Sequence, residues 1–165
     1  RSLDDLAQAL QVERRQGRRI ALTNGCFDLL HVGHLRYLEE ASQLADVLVV
    51  AINSDLSVRR LKGDRRPVVT DFNRAALLAA LSCVHYVVIF EEDTPHCLLE
   101  TLKPDVLVKG GDYPNQQSVV GHEIVAAYGG TVHLARFVPG VSTTALLQSI
   151  TDATRLDHAV RQADF

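Results

Sequence analysis

Ile20-Ala21-Leu22-Thr23-Asn24-Gly25-Cys26-Phe27-Asp28-Leu29-Leu30-His31-Val32-Gly33-His34 is the stretch whose reading decides the architecture. It joins a short apolar run, a glycine-containing turn and the start of a helical pattern in which Leu35, Leu38 and Ala41 share a face. A strand, a turn and a helix N-terminus form the geometry that receives a phosphate, because unpaired backbone N–H groups and the positive end of the helix dipole meet there. His31 and His34 stand at that helix start, spaced so that both imidazoles can face one pocket. They are expected to hydrogen-bond a phosphate and to stabilise charge that builds on it. The bland alternative is a pair of surface or capping histidines. A zinc site made of Cys26, His31 and His34 lacks an evident fourth ligand.

The same alternation runs through the rest of the chain. Ser2 to Arg15 reads as an amphipathic helix, with Ser2 and Asp5 resembling a capping box, Leu3, Leu6, Ala7 and Leu10 on one face, and Gly17 as its stop. Arg19 to Thr23 reads as a strand and Gly33 to Leu44 as a helix. Asp46 to Asn53 is a continuous apolar run, as expected of a strand covered on both faces. Ser54 to Pro67 reads as a polar, basic loop, followed by a helix from an Asp71 N-cap to Leu81. Tyr86 to Phe90 is the next strand, and Thr94-Pro95 opens a helix to Leu102. Asp105 to Lys109 is a strand ended by Gly110-Gly111-Asp112, then come a helix over His122 to Tyr128 and a strand over Thr131 to Leu134. Phe137 to Gly140 reads as a turn, and Ser142 or Thr143 caps a last helix.

Strands alternating with helices predict an α/β fold: a Rossmann-like three-layer sandwich with a five-stranded parallel sheet, one domain over residues 1–165. Ligands bind such sheets beyond the carboxyl ends of the strands, where strand order reverses. Asn24 to His34, Ser54 to Pro67, Lys109 to Tyr113 and Arg136 to Thr144 all follow strands, so all are expected on one rim.

Composition narrows the partners. A formal net charge of -3 argues against a general nucleic-acid binder. The apolar runs are strand-sized, too short to span a membrane as a helix. Cys26, Cys83 and Cys97 are odd in number and form no CxxC pair, which suits a reducing cytoplasm better than a disulfide framework. The chain contains no Met, so its initiator is expected to be removed or to lie outside this segment, and the polar Arg1-Ser2-Leu3-Asp4-Asp5 start does not read as a signal peptide.

Three more rim segments could carry chemistry. Arg59-Arg60-Leu61-Lys62-Gly63-Asp64-Arg65-Arg66 places five cations in eight positions, as in an electropositive flap over an anionic substrate, although such runs are often only solvated surface. Lys62 is favoured within it, because Gly63 lets the loop fold closely over a ligand. Arg136-Phe137-Val138-Pro139-Gly140-Val141-Ser142-Thr143-Thr144 supplies a cation and three hydroxyls at a helix start, where capping alone needs one hydroxyl. Lys109-Gly110-Gly111-Asp112-Tyr113 permits close approach to a flat ligand, with Asp112 able to accept from a ribose or base. Arg74 is a weaker candidate near its helix start. No Walker-type loop is present, nor a supported Ser-His-Asp order. The composite is direct displacement at a nucleotide phosphate by positioning and electrostatics.

Thr23 to His34 resembles the first signature of the HxGH nucleotidyltransferases, and Gly140-Val141-Ser142-Thr143-Thr144 resembles their last, a phosphate-binding loop. Cytidylyltransferases for glycerol 3-phosphate share both. Arg60 to Val68, Asp105 to Tyr113 and Val119-Val120-Gly121 are similar to the adenylyltransferase domain of the bacterial heptose 1-phosphate pathway, and the likeness runs from about Leu3 to Ile150. That resemblance implies adenylyl transfer from ATP to D-glycero-β-D-manno-heptose 1-phosphate, giving ADP-heptose and pyrophosphate for lipopolysaccharide core assembly. It implies magnesium carried on the ATP phosphates with no protein metal ligand, a homodimer, and partners that are neither nucleic acid nor membrane. No kinase-sized segment is present, so a stand-alone enzyme or an excised domain is expected.

Carried over by resemblance, His31 and His34 stabilise the α-phosphoryl transition state and Lys62 bridges incoming and leaving phosphates. Asn24, Gly25, Cys26, Phe27 and Gly33 line the nucleotide, and Gly111 and Asp112 sit by its ribose or base. Arg136, Ser142, Thr143 and Thr144 hold the β,γ-phosphates, while Asp28, Arg65 and Arg74 join Lys62 at the substrate. His85 stands where relatives are expected to have an acidic residue. The alternatives are cytidylyl transfer to a glycerol- or ribitol-type phosphate and a catalytically silent nucleotide-binding protein, which would lack some phosphate contacts. A class I tRNA synthetase fragment would need a Lys-Met-Ser-Lys-Ser type loop, which this Met-free chain lacks.

Overall fold

Ile20 and Leu22 face one way from β1 (Ile20–Gly25), Ala21 faces the other, and each side is buried in its own cluster. The computed structural model describes residues 2–111, 113–136, 140 and 142–163, with side chains described through residue 153. Around β1 stand β2 (Val47–Asn53), β3 (Tyr86–Phe90), β4 (Val106–Gly110) and β5 (Thr131–Ala135) in the order β3-β2-β1-β4-β5. All neighbours pair in parallel, as the alternating elements predict. Strand order reverses between β1 and β4, so their carboxyl ends diverge there and leave a crevice.

Helices cover both faces. Leu6 and Leu10 of α1 (Leu3–Arg15), Leu98, Leu99 and Leu102 of α5 (His96–Leu102), and Val125 of α6 (His122–Ala127) join Leu22, Val49 and Leu107 on one side. Tyr37, Leu38 and Ala41 of α2 (Val32–Ser42) and Leu78 of α4 (Asp71–Ala79) join Ala21, Val50 and Val108 on the other. All seven residues of β2 are buried, which explains its unbroken apolar sequence. Ser2 caps α1, its hydroxyl accepting from the Asp5 N–H at 3.1 Å. At the opposite end of the sheet, the carboxylates of Asp46 and Asp105 accept from the N–H groups of Arg19 and Ile20 at 2.8 and 2.7 Å, anchoring the start of β1.

The structure corrects the sequence reading between β2 and β3. The expected loop from Ser54 begins as a helix, α3 (Asp55–Lys62). The Ser54 hydroxyl caps it by accepting from the Ser57 N–H at 3.2 Å, and Gly63, at φ 91°, terminates it in a conformation glycine adopts without strain. The cation run had masked a helix whose last turn those cations suit, opposite the dipole. Asp71 is likewise the first residue of α4, with Thr70 at the N-cap position. Asp55 and Asp71 instead serve each other's helices: the Asp71 N–H donates to the Asp55 carboxylate at 2.8 Å and the Asp55 N–H to the Asp71 carboxylate at 3.0 Å. Each closes an orphan donor of the facing helix.

Arg74 locks this junction. Its guanidinium is fully buried and donates to the Val69 carbonyl at 2.9 Å, to the Asp55 carboxylate at 2.8 Å and to the Cys26 carbonyl. The sequence reading placed Arg74 at the substrate; burial instead makes it the brace between the β1 turn, α3 and α4. Arg74→Leu is expected to lower the unfolding free energy by about 3–5 kcal/mol, because it strands Asp55 and two carbonyls. Urea denaturation checks this, and a loss under about 1 kcal/mol, the scale of an exposed ion pair, contradicts it.

Candidate active site

The crevice between the diverging strands opens into a cavity of about 670 Å³, room for a nucleotide. His31 is the N-cap of α2, and its Nδ1 accepts from the His34 N–H at 3.3 Å. An accepting Nδ1 leaves the proton on Nε2, so His31 presents an N–H donor. The two imidazoles stack at 3.8 Å between centroids, and Phe27, buried beneath them, meets the His34 ring at 5.2 Å. Burial and the neighbouring His31 push the His34 pKa down to about 4, against a smaller upward pull from the Leu29 carbonyl. Burial lowers His31 as well. Both rings are therefore neutral at pH 7, and among the described residues neither is paired with a carboxylate that a phosphate oxygen would have to displace.

Behind this pair, Tyr37 ties the floor together. Its hydroxyl donates to the Val108 carbonyl at 2.9 Å and bonds the Thr23 hydroxyl, bridging β4 and β1 at the reversal point. A Cβ on Gly110 would come within 3.1 Å of the Tyr37 ring, so glycine is what lets α2 sit this close to the strand end. Farther along α2, Glu40 accepts from the Arg136 N–H at 3.2 Å and bonds His133 at 2.9 Å, holding the end of β5 at the rim. The Ser142 hydroxyl caps α7 (Thr143–Ala163), accepting from the Ala145 N–H at 3.1 Å. Its oxygen is spent on the helix, while its proton remains available to a ligand.

The wall brings together most of the residues read from the sequence: Asn24 to Asp28, His31, Gly33, His34, Lys62, Gly111, Arg136 and Ser142 to Thr144. Asp112 lies outside the described residues, as does most of the expected turn from Phe137. Arg65 is exposed and off the wall, and Arg74 is the buried brace. Asp28 reaches the cavity, yet its carboxylate accepts from the Val68 and Val69 N–H groups at 2.8 and 2.9 Å and pairs with Arg66. It clamps the chain after α3 against the β1 turn. The five cations of the flap thus divide: Arg66 binds Asp28, Arg60 binds Asp93 at 2.8 Å, and Lys62 reaches the cavity wall. Sequence reasoning missed Tyr37, Asn53, Arg66, Asp93, Lys109 and Tyr113 on the wall. Lys109 lay in a quoted segment without a role, whereas Tyr37 lay inside the expected helix and was not singled out.

A family model described as cytidylyltransferase-like matches residues 22–149. The chain belongs to the cytidylyltransferase-like family. This nucleotidyltransferase is 56% identical over 150 residues to the bifunctional protein HldE of Geobacter metallireducens, covering 91% of this chain and 30% of that protein. It is 54% identical over 149 residues to the bifunctional protein HldE of Syntrophotalea carbinolica, covering 90% of this chain and 30% of that one. The chain thus spans about 30% of the length of these relatives. The crystal structure of a lipopolysaccharide core biosynthesis protein from Thermoplasma volcanium superposes with a TM-score of 0.61 at 30% identity, covering 74% of this chain and 98% of that one.

The site of this nucleotidyltransferase can hold a polyanion by two helix starts, α2 and α7, with neutral imidazoles at one and hydroxyls at the other. Neutral His34 also makes a titration test. Its folded pKa lies below the ordinary 6.5, so its neutral burial favours the fold above that pH and opposes it as pH falls toward about 4. A bound triphosphate adds negative charge and must raise that pKa. Triphosphate affinity should then climb as pH falls through the raised value and level off below about 4. NMR titration of the His34 ring, with and without ATP, checks this; a free value near 6.5, or no upward shift with ATP, contradicts it.

Proposed function

We propose that this nucleotidyltransferase transfers AMP from ATP to D-glycero-β-D-manno-heptose 1-phosphate, forming ADP-heptose and releasing pyrophosphate. The observation that carries the reading is the stacked His31 and His34 pair at the α2 N-terminus sharing one cavity with the α7 N-terminus and Lys62. Likeness to the HldE proteins and to the lipopolysaccharide core biosynthesis protein supports the choice of sugar. The segments that single out a heptose adenylyltransferase, Arg60 to Val68 and Asp105 to Tyr113, supply Lys62, Arg66, Lys109 and Gly111 to the wall.

The chemistry is an in-line displacement. A phosphate oxygen of the sugar 1-phosphate attacks the α-phosphorus, the bond from that phosphorus to the bridging oxygen breaks, and pyrophosphate departs with the electron pair. The nucleophile is already ionised at neutral pH, since a phosphate monoester loses its second proton near pH ~6, so no general base is required. His31 and His34 donate to the α-phosphoryl oxygens as charge builds there, Lys62 bridges the phosphates, and the α7 start with Arg136 holds the leaving pyrophosphate. In this reading magnesium arrives as part of the ATP substrate, and the wall carboxylates Asp28 and Asp93 pair with Arg66 and Arg60. Residues 1–165 act as one catalytic unit, in this reading as a homodimer in the cytoplasm, where free Cys26, Cys83 and Cys97 remain reduced. No helix of the described residues is long and apolar enough to cross a membrane.

Pyrophosphate release with ATP or CTP against a panel of sugar 1-phosphates and glycerol 3-phosphate tests the assignment. ATP with the heptose 1-phosphate is expected to turn over fastest; preference for CTP with glycerol 3-phosphate overturns it in favour of cytidylyl transfer. His34→Ala should cost ~100-fold in kcat, the scale of one lost oxyanion-type donor, with the melting temperature retained. Near-wild-type turnover in folded His34→Ala protein removes the histidine from the mechanism.

A further inference from the structure

β4 ends in a cation to which the reaction outlined above gives no task. Along β4, Val106 and Val108 face the α2 side and Leu107 the α1–α5–α6 side, so Lys109 leaves the sheet opposite His31 and His34. Asn24 follows Leu22 on β1 in the same alternation, and the pairing of Thr23 with Val108 sets Asn24 beside Lys109. Lys109 Nζ donates to the Asn24 carbonyl at 3.2 Å, and it forms no ion pair with any described residue. The Asn24 side-chain oxygen is buried and makes no hydrogen bond. Both residues line the cavity. Burial lowers the Lys109 pKa to about 8, which keeps the ammonium largely charged at pH 7.

A part-buried ammonium without a counter-charge and a buried amide oxygen without a donor each cost free energy that a matching ligand recovers. Side by side, they match an anionic oxygen next to a hydroxyl. Direction agrees with chemistry. In-line displacement requires nucleophile and leaving group on opposite sides of the α-phosphorus. The α7 start, which takes pyrophosphate in the proposed reaction, sits beside the start of α2, where the Thr143 hydroxyl donates to the Leu29 carbonyl at 3.5 Å; the face left for the nucleophile is the one Lys109 occupies.

We infer that Lys109 and Asn24 form the acceptor's seat, Lys109 Nζ binding a phosphate oxygen of the sugar 1-phosphate and the Asn24 amide a neighbouring hydroxyl. The inference rests on the proposed function and extends it: a fixed cation on this wall selects a phosphorylated acceptor over a neutral sugar and aims its oxygen at the α-phosphorus.

Calorimetric titration of the wild-type, Lys109→Met and Lys109→Arg proteins tests it, with ATP alone, with heptose 1-phosphate in the presence of α,β-methylene-ATP, and with inorganic phosphate as a bare anion probe. Lys109→Met keeps the apolar stem and removes the charge. It should weaken heptose 1-phosphate binding about 10- to 100-fold, as loss of a charge-assisted hydrogen bond does, while ATP affinity stays within about twofold. Lys109→Arg should recover part of the loss. Wild-type acceptor affinity should be full between about pH 6, where the phosphate becomes a dianion, and about pH 8, and fall as pH rises further, because only the charged amine binds, and Lys109→Arg should lack that fall. Weakened ATP binding with acceptor binding intact, or no change in either, overturns the inference. If Lys109→Met does not fold, the pH dependence of wild type against Lys109→Arg decides alone. If the wild-type protein makes no ADP-heptose, the proposed function fails on its own; phosphate binding lost in Lys109→Met then still supports an anion seat at Lys109, and phosphate binding unchanged overturns it.

Discussion

A single buried guanidinium holds the parts of this site in register. Arg74 has no exposed surface, and its donors reach three separate pieces of chain: the Cys26 carbonyl in the β1 turn, the Asp55 carboxylate opening α3, and the Val69 carbonyl before α4. The β1 turn leads to the stacked histidines; α3 ends on Lys62. Arg74 touches neither, yet it fixes the distance between them. A charge buried this deeply is tolerable only with its partners in place, so the junction is held in one arrangement. The exchange between Asp55 and Asp71 and the clamp of Asp28 on Val68 and Val69 extend the same brace along 54–71.

Charge on the cavity wall is sorted by sheet face. On the α2 side, burial keeps His31 and His34 neutral, so donors for a polyanion stand ready without carboxylates to displace. Both acidic residues described on the wall are matched by arginines from the basic run, which commits Arg60 and Arg66 to protein partners. Lys109 and Asn24 stand on the other face, where the sheet reverses order and leaves an ammonium without a counter-charge beside an amide oxygen without a donor. A single sheet edge can thus present the two ends of a displacement reaction from opposite sides, because successive strand residues point to opposite faces.

Most of the architecture was legible because it depends on local signals. β2 is a continuous apolar run that ends up wholly buried, Tyr86 to Phe90 is a strand over the same residues, and Ser2 caps α1 through Asp5. The rim followed from the alternation, since every strand in a parallel sheet sends its carboxyl end the same way. The failures share a cause as well. Arg59, Arg60 and Lys62 looked like a solvated loop because polarity masked the helix that Ser54 starts and Gly63 stops. Arg74 read as a weak substrate contact because two of its partners, Cys26 and Asp55, lie on segments distant in sequence.

The sequence by itself determined most of the elements, the direction of the sheet, and a turn leading into a helix start at His31 and His34, because hydrophobic period, caps and glycine stops act over a few residues. Tertiary structure alone decided what each charge does. Whether Asp28 faces a ligand or clamps Val68 and Val69, whether Arg66 meets substrate or Asp28, and whether Lys109 is solvated or stranded without a counter-ion depends on which side chains share the same few ångströms of low-dielectric space. Coulombic and desolvation energies are steep functions of that distance and burial, and no local pattern in the chain encodes either.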